Sequence, residues 1–272
     1  MPRSIWNGTI SFGLVNVPVG LYSAVESKDI RFHQMTKSGH RIRNKRVDEK
    51  TGREVDYDSL VRGFEQRKGS YVIVEPEELD AAAPRQTRMI EIEDFVELAD
   101  IDPIYYNTTY YVAPRTGNAA DKSYALLREA MEKSGKAAIG RFVMRTKQYL
   151  AVVRPADGML VLETLYYEDE IRDPKALDIP KRTSVGVREL KIARQLIDSL
   201  TAEWKPSRYH DTYRAEVEKI IRRKAKGESI VAEEEADATP TNVTDLVAAL
   251  EASLARKGKR GARRPARKTR AS

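Results

Sequence analysis

The 272-residue sequence contains no cysteine and only three histidines, His33, His40 and His210. Disulfides and thiolate metal sites are excluded, and three histidines without mutual spacing are too few for most zinc geometries. No Walker-type glycine-rich loop, His-Glu-x-x-His, Gly-x-Gly-x-x-Gly or Gly-x-Ser-x-Gly pattern occurs, so ATP use and the common nucleophilic mechanisms lack their residues. The sequence therefore predicts no catalytic residue, no metal and no cofactor. An apolar run of about 18 residues is also missing, as is a charged-then-apolar leader at Met1, which predicts neither a membrane span nor a secretory signal and so a cytoplasmic protein.

What is abundant is charge. Charged residues make up 33% of the chain and hydrophobic ones 41%, enough to bury one sizeable core with an appendage. The net charge of +7 is concentrated at one end: residues 256–270 hold nine of the 48 lysines and arginines and no acid, which leaves 39 basic against 41 acidic residues over 1–254. Within that near-neutral body the signs are segregated. Residues 31–53 hold eight basic and two acidic residues and 205–226 eight and three, whereas 75–102 hold ten acidic and two basic. A one-sided phosphate-facing surface requires such segregation, although charge runs also mark solvated faces.

The apolar pattern predicts mainly strands. Residues 5–24 read as two strands, 30–56 as a hairpin turning at Asp48-Glu49-Lys50-Thr51-Gly52, 71–74 as a strand between short helices at 57–66 and 76–82, and 88–98, 104–113, 137–154 and 159–168 as further strands. Pro155-Ala156-Asp157-Gly158 reads as a second hairpin turn. Three helices show a period of 3.6: Tyr124, Leu127, Ala130, Met131; then Leu190, Ala193, Ile197, Leu200, Trp204; then Tyr213, Val217, Ile220, Ile221. Each has an apolar face that can dock on a sheet. Many strands, few helices and no βαβ alternation imply an α+β, mainly β fold with an antiparallel sheet or barrel and peripheral helices. The folded body is expected over 1–226, followed by an acidic linker over 227–242. Val243, Leu246, Val247, Leu250 and Leu254 form one stripe on a short helix over 243–255, which would be marginal alone and so is a candidate partner-binding element. The Lys/Arg-rich tail over 256–272 is expected to be disordered.

Two strand-borne basic clusters are the best candidates for DNA contact. Arg41, Arg43 and Lys45, with Arg46 adjacent, are two residues apart and would project from one strand face at roughly 6.6 Å spacing, which suits successive phosphates. Arg141, Arg145 and Lys147 would share a face, with Phe142 and Met144 on the other. Arg222, Arg223 and Lys224 end a helix, where the dipole also favours cations. The tail adds Arg256, Lys257, Lys259, Arg260, Arg263, Arg264, Arg267, Lys268 and Arg270. No zinc finger, recognition helix or aromatic RNA-binding motif is present, so binding through phosphates, without base readout, is the expectation. The best catalytic alternative is a metal-dependent nuclease built on Glu189-Leu190-Lys191 with Asp169 or Asp173, but Glu189 and Lys191 open an amphipathic helix, where an acid serves the helix dipole. A nucleoid-associated architectural DNA binder is the other alternative.

The opening residues Arg3-Ser4-Ile5-Trp6-Asn7-Gly8-Thr9-Ile10-Ser11-Phe12-Gly13-Leu14-Val15-Asn16-Val17-Pro18-Val19-Gly20-Leu21-Tyr22 resemble the start of bacterial Ku proteins. The resemblance continues in order through Arg31-Phe32-His33-Gln34, Arg41-Ile42-Arg43-Asn44-Lys45-Arg46-Val47, Val55-Asp56-Tyr57, Asp102-Pro103-Ile104-Tyr105-Tyr106, Gly140-Arg141-Phe142-Val143-Met144-Arg145-Thr146-Lys147, Asp169-Glu170-Ile171-Arg172 and Tyr209-His210-Asp211-Thr212-Tyr213. It implies a β-barrel core with a bridge region and a helical arm. It also implies a homodimer that closes a ring around double-stranded DNA ends in the non-homologous end joining repair of double-strand breaks, and recruits and stimulates ligase D. A nucleoid-associated bacterial protein without enzymatic activity is what the family resemblance predicts.

Overall fold

The structure, a computed structural model, describes residues 3–82, 87–115, 117–180 and 183–228. Two compact units divide the chain, Met1–Pro174 and Lys175–Ser272. The expected body of 1–226 thus comprises the first unit and the helices of the second. The apolar stripe at 243–254 and the basic tail lie outside the described residues.

The first unit is built on a closed barrel of seven strands: β1 (Trp6–Phe12), β2 (Val15–Ser23), β5 (Met89–Glu97), β6 (Tyr106–Pro114), β7 (Lys136–Met144), β8 (Lys147–Ala156) and β9 (Met159–Leu165). They run in the order β1-β2-β6-β9-β8-β7-β5. Six ladders are antiparallel, and the one that closes the ring is parallel, pairing Thr9 with Met89, Ile10 with Ile90 and Ser11 with Glu91. An odd number of strands cannot close with antiparallel neighbours throughout, so this exception to the antiparallel expectation follows from the count. Closure removes the free sheet edges that would otherwise invite aggregation.

Alternating residues fill the interior. Ile10, Leu21, Ile90, Val112, Phe142, Val153, Leu160 and Leu162 are buried in one cluster, where Trp6 meets Phe142 edge-on at a centroid distance of 5.6 Å. Each such side chain contributes about 1.5–3 kcal/mol through burial. Gly140 is required here, because a Cβ would stand 2.3 Å from the Glu91 carbonyl oxygen on β5. Helix α2 (Asn118–Ser134), bracketed by Gly117 and Gly135 in conformations with positive φ, adds Tyr124, Leu127 and Met131 to the same cluster, as its periodicity predicts. A second buried cluster, Ala137, Val152 and Leu165, forms from the alternate residues of β7, β8 and β9 under Leu98, Ile101, Tyr105 and Tyr106.

Between β2 and β5 the chain leaves the barrel. Residues 57–59 form one 3₁₀ turn, and β3 (Arg62–Arg67) pairs with β4 (Ser70–Val74) as an isolated two-stranded ribbon, followed by α1 (Pro76–Ala82). The helix expected over 57–66 is therefore a single 3₁₀ turn followed by strand. Tyr57, Leu60, Val61 and Phe64 fall at helical spacing, but pairing of Phe64 with Val72 and Gly63 with Ile73 overrides it. The strand expected over 137–154 is also two strands, because the chain reverses at Arg145-Thr146 without a glycine, asparagine or proline to announce it.

In the second unit, α3 (Val187–Leu200) and α4 (Thr212–Ala225) form where the periodicity predicts them. Of their apolar stripes, Leu190, Ile197 and Leu200 of α3 and Tyr213, Ile220 and Ile221 of α4 are exposed, and Ile192 is the buried residue of α3. Trp204 lies beyond α3 and stacks on Tyr209 at 5.0 Å.

Candidate nucleic-acid interface

Residues 30–56 carry no regular strand. Isolated bridges tie Met35 to Arg41 and Val47 to Glu54, and the residues between them are exposed. The single-face ladder expected of Arg41, Arg43 and Lys45 is therefore not formed, because the segment lacks the alternating apolar residues that would seat it on a core. The turn itself forms as expected. The Asp48 carboxylate accepts from the Thr51 and Lys50 amides at 2.7 and 2.9 Å, bonds that hold its pKa below the ordinary value, and Gly52 takes a φ of 67°.

The four candidate cations of this segment are exposed. Arg41 reaches the His33 ring at 3.5 Å, Lys45 pairs with Glu54 at 2.6 Å and Arg46 lies 4.8 Å from the centre of the Tyr57 ring. Arg43 is exposed and has no side-chain partner among the described residues. Such exposed contacts are worth about 0–1 kcal/mol, so a phosphate can displace them.

The second cluster is divided by the β7–β8 turn. Arg141 points outward from β7 and is held at two points by Glu93, at 2.6 and 2.8 Å. Glu93 is the extra residue of a bulge on β5, since Ile92 pairs with Gly140 and Asp94 with Ile139. That irregularity aims its carboxylate across the ladder. The hydrogen bonds from Arg141 hold the Glu93 pKa below the ordinary carboxylate range. Arg145 sits in the turn with a φ of 61°, and Lys147 starts β8 with its ammonium 5.4 Å from the centre of the Tyr149 ring. The turn thus brings Arg145 and Lys147 together at one end of the barrel and leaves Arg141 on the adjoining strand.

Arg222, Arg223 and Lys224 occupy the last turn of α4, whose first turn is capped by the Asp211 carboxylate accepting from the Arg214 amide at 2.9 Å. Arg222 pairs with Glu218 and Arg223 with Glu228, while Lys224 has no side-chain partner among the described residues. Sequence reasoning finds the cations but misses the acids that hold them, because Glu93 and Glu54 become neighbours only through strand register and bridge pairing. It also misses Arg88, which stands beside Trp6 and Arg145 in one cleft.

The carboxylate proposed for a nuclease has another role. Glu189 accepts from the Gly186 amide at 2.8 Å and so caps α3. Among the described residues no group of three or more acidic or histidine side chains could hold a metal ion. Among them too, no helix is long and apolar enough to cross a membrane.

The family model of the Ku70/Ku80 beta-barrel domain matches residues 11–192. The chain is 45% identical to the Saccharopolyspora erythraea protein named "Non-homologous end joining protein Ku 1" over 96% of its own length and 81% of that protein's. It is 44% identical to "Non-homologous end joining protein Ku" of Anaeromyxobacter sp. (strain K), over 96% and 88%. The SPOC domain of human PHD-finger protein 3 aligns at 12% identity and a TM-score of 0.30, covering 60% of this chain and 95% of that one, a likeness too faint to bear on the fold. A closed barrel that lies, but for the start of β1, within the residues that the family model matches, and 44–45% identity across nearly the whole chain, place it plainly: it belongs to the Ku family.

Proposed function

We propose that this protein binds double-stranded DNA ends without sequence preference in non-homologous end joining, and has no catalytic activity of its own. The observation that carries this is its 45% identity, over nearly the whole chain, to a relative named for that process. The distribution of cations supports it: the exposed basic residues lie on a segment without regular strand, a hairpin end and a helix terminus, and the sequence has no element suited to reading base edges.

The working form is a homodimer closed as a ring around the duplex. The support is the amount of apolar surface left without a partner in one chain. On the β3–β4 ribbon Phe64 is 67% exposed, Tyr71 62% and Ile73 58%. A two-stranded ribbon with those residues in water is marginal alone and gains most by pairing with a second copy. The exposed stripes of α3 and α4 carry the same implication for the helical arm. The finer parts of the reading are recruitment and stimulation of ligase D through the stripe Val243, Leu246, Val247, Leu250 and Leu254, DNA contact by the tail, and association with the bacterial nucleoid.

The test is a gel-shift competition near 150 mM salt with a chain ending at Leu254, which lacks the tail's end-independent attraction. Linear duplex is challenged with a covalently closed circle of the same sequence. Competition by linear but not closed DNA is expected of a ring that threads onto ends. Equal competition would remove the ring mechanism and leave a general duplex binder.

A further inference from the structure

The loop that joins α3 to α4 carries two aromatic residues that belong to neither buried cluster. Trp204 is 71% exposed and Tyr209 65%, and their rings stack with centroids 5.0 Å apart and planes inclined by 28°. The backbone between them is fixed. Pro206–Arg208 form a 3₁₀ turn, in which the Arg208 amide donates to the Lys205 carbonyl at 2.9 Å and the Tyr209 amide to the Pro206 carbonyl at 3.0 Å. Pro206 at the first position of that turn locks its own φ. Two residues beyond Tyr209, Asp211 caps α4 and ends the loop.

The pair differs from the aliphatic stripe of α3, whose Leu190, Ile197 and Leu200 suit the apolar side chains of another protein. Trp204 and Tyr209 present flat π faces: each ring covers one face of the other and leaves its outer face open. Cations also stand between them in sequence. Lys205 makes an exposed pair with Glu203 at 2.9 Å, weak enough for a phosphate to displace, and Arg208 is exposed without an ion-pair partner among the described residues. Aromatic faces flanked by cations are the composition of single-strand sites, in which bases stack on the rings and the cations meet the phosphates. In a duplex each base face is covered by its neighbours, so an open ring selects unpaired nucleotides.

We propose that Trp204 and Tyr209, with Lys205 and Arg208, form a stacking site for unpaired nucleotides, occupied by the single-stranded overhang of a DNA end; this assignment rests on the DNA-end reading above. Every base has a π face, so the site adds a preference for overhangs without adding base readout.

Tryptophan emission offers a direct readout. The chain has two tryptophans, and Trp6 is buried with its Nε1 donating to the Val143 carbonyl at 2.9 Å, so quenching by iodide reports on Trp204. The full chain is titrated with a blunt duplex and with the same duplex carrying a 3′ overhang of about ten thymidines, within the site sizes of single-strand binders. The overhang is expected to quench the emission further, to protect it from iodide and to tighten binding by about 5-fold or more. Trp204→Ala with Tyr209→Ala should lose that excess and bind the blunt duplex as the parent does. Trp204→Phe with Tyr209→Phe should keep it, since both rings remain. Equal emission and equal affinity on the two duplexes would overturn the proposal, as would an excess that survives in the alanine variant. If that variant also weakens on the blunt duplex, the emission and iodide measurements on the unsubstituted chain decide. Protection from iodide before any DNA is added, together with dissociation of the alanine variant into monomers, would assign the pair to a second copy of the chain and likewise overturn it. Challenge of the blunt complex with closed circular DNA reports separately on end binding, so either reading can fail without the other.

Discussion

Arg141 on β7 is held at two points by Glu93, the bulged residue of β5, at 2.6 and 2.8 Å. The same guanidinium faces outward from the barrel, so the carboxylate competes for it with any phosphate that approaches. Replacing Glu93 with glutamine should release Arg141 and raise duplex affinity several-fold, with the salt slope steeper by about 0.9 for one added contact. The pair also carries a pH dependence. Because Arg141 lowers the Glu93 pKa, the stability it contributes is present above the ordinary glutamate range and is lost as pH falls through the lowered value. Acid titration of duplex binding should show the E93Q effect shrinking as Glu93 protonates. An affinity unchanged by E93Q at neutral pH would show that Arg141 does not meet DNA.

Tyr124 ties α2 to the barrel through its hydroxyl, which donates to the Val112 carbonyl and accepts from the Leu160 amide, both at 2.7 Å. Tyr124→Phe leaves two buried backbone groups without a partner and should lower the unfolding free energy by about 1–3 kcal/mol, read from urea denaturation. Burial raises the pKa of Tyr124, and of Tyr106 and Tyr110 as well. A raised pKa means that the folded state keeps the proton longer than the unfolded chain does. Stability is therefore complete below the ordinary tyrosine range and declines as pH rises through it, and the phenylalanine variant should decline less steeply.

The barrel was legible because its strands pair apolar periodicity with turn residues that advertise themselves. Asp157-Gly158 turns the chain from β8 into β9 where the residues say it should, as Asp48 through Gly52 do outside the barrel. The β7–β8 reversal was not legible, since Arg145 occupies a position normally given to glycine and nothing local marks it. At the site, cations could be found by composition and spacing, but their state could not. Whether Arg141 faces a carboxylate depends on a bulge, and whether Arg88 meets Arg145 depends on the antiparallel register of β5 and β7, which sets Ile90 opposite Phe142 although the two are 52 residues apart in sequence.

The β3–β4 ribbon offers a direct test of the dimer. Phe64→Glu with Ile73→Glu places a charge on each of its faces while leaving the barrel untouched, because Phe64 pairs with Val72 and Ile73 with Gly63. The expected result is a monomer by sedimentation equilibrium, with the barrel's thermal transition retained and preference for linear over closed DNA abolished. A double variant that remains dimeric would move the interface to the exposed stripes of α3 and α4.

The two functions proposed for the region after residue 242 rest on different residues and can be separated by substitution. The nine cations between 256 and 270 are numerous enough that their removal should reduce the salt slope of DNA binding by up to about 8, at roughly 0.9 per neutralised phosphate. The apolar stripe has no charge to contribute to that slope except through its acidic neighbours. Leu246→Glu with Leu250→Glu should therefore leave DNA binding nearly unchanged and reduce recruitment of ligase D in a pull-down on DNA-bound protein, as expected of an amphipathic helix that folds against a partner's groove. Truncation at Leu254 should do the reverse. If the leucine variant recruits the ligase fully, the stripe packs against its own chain and the ligase surface lies elsewhere. If truncation leaves affinity and salt slope unchanged, the tail stays clear of the duplex and the body alone supplies the phosphate contacts.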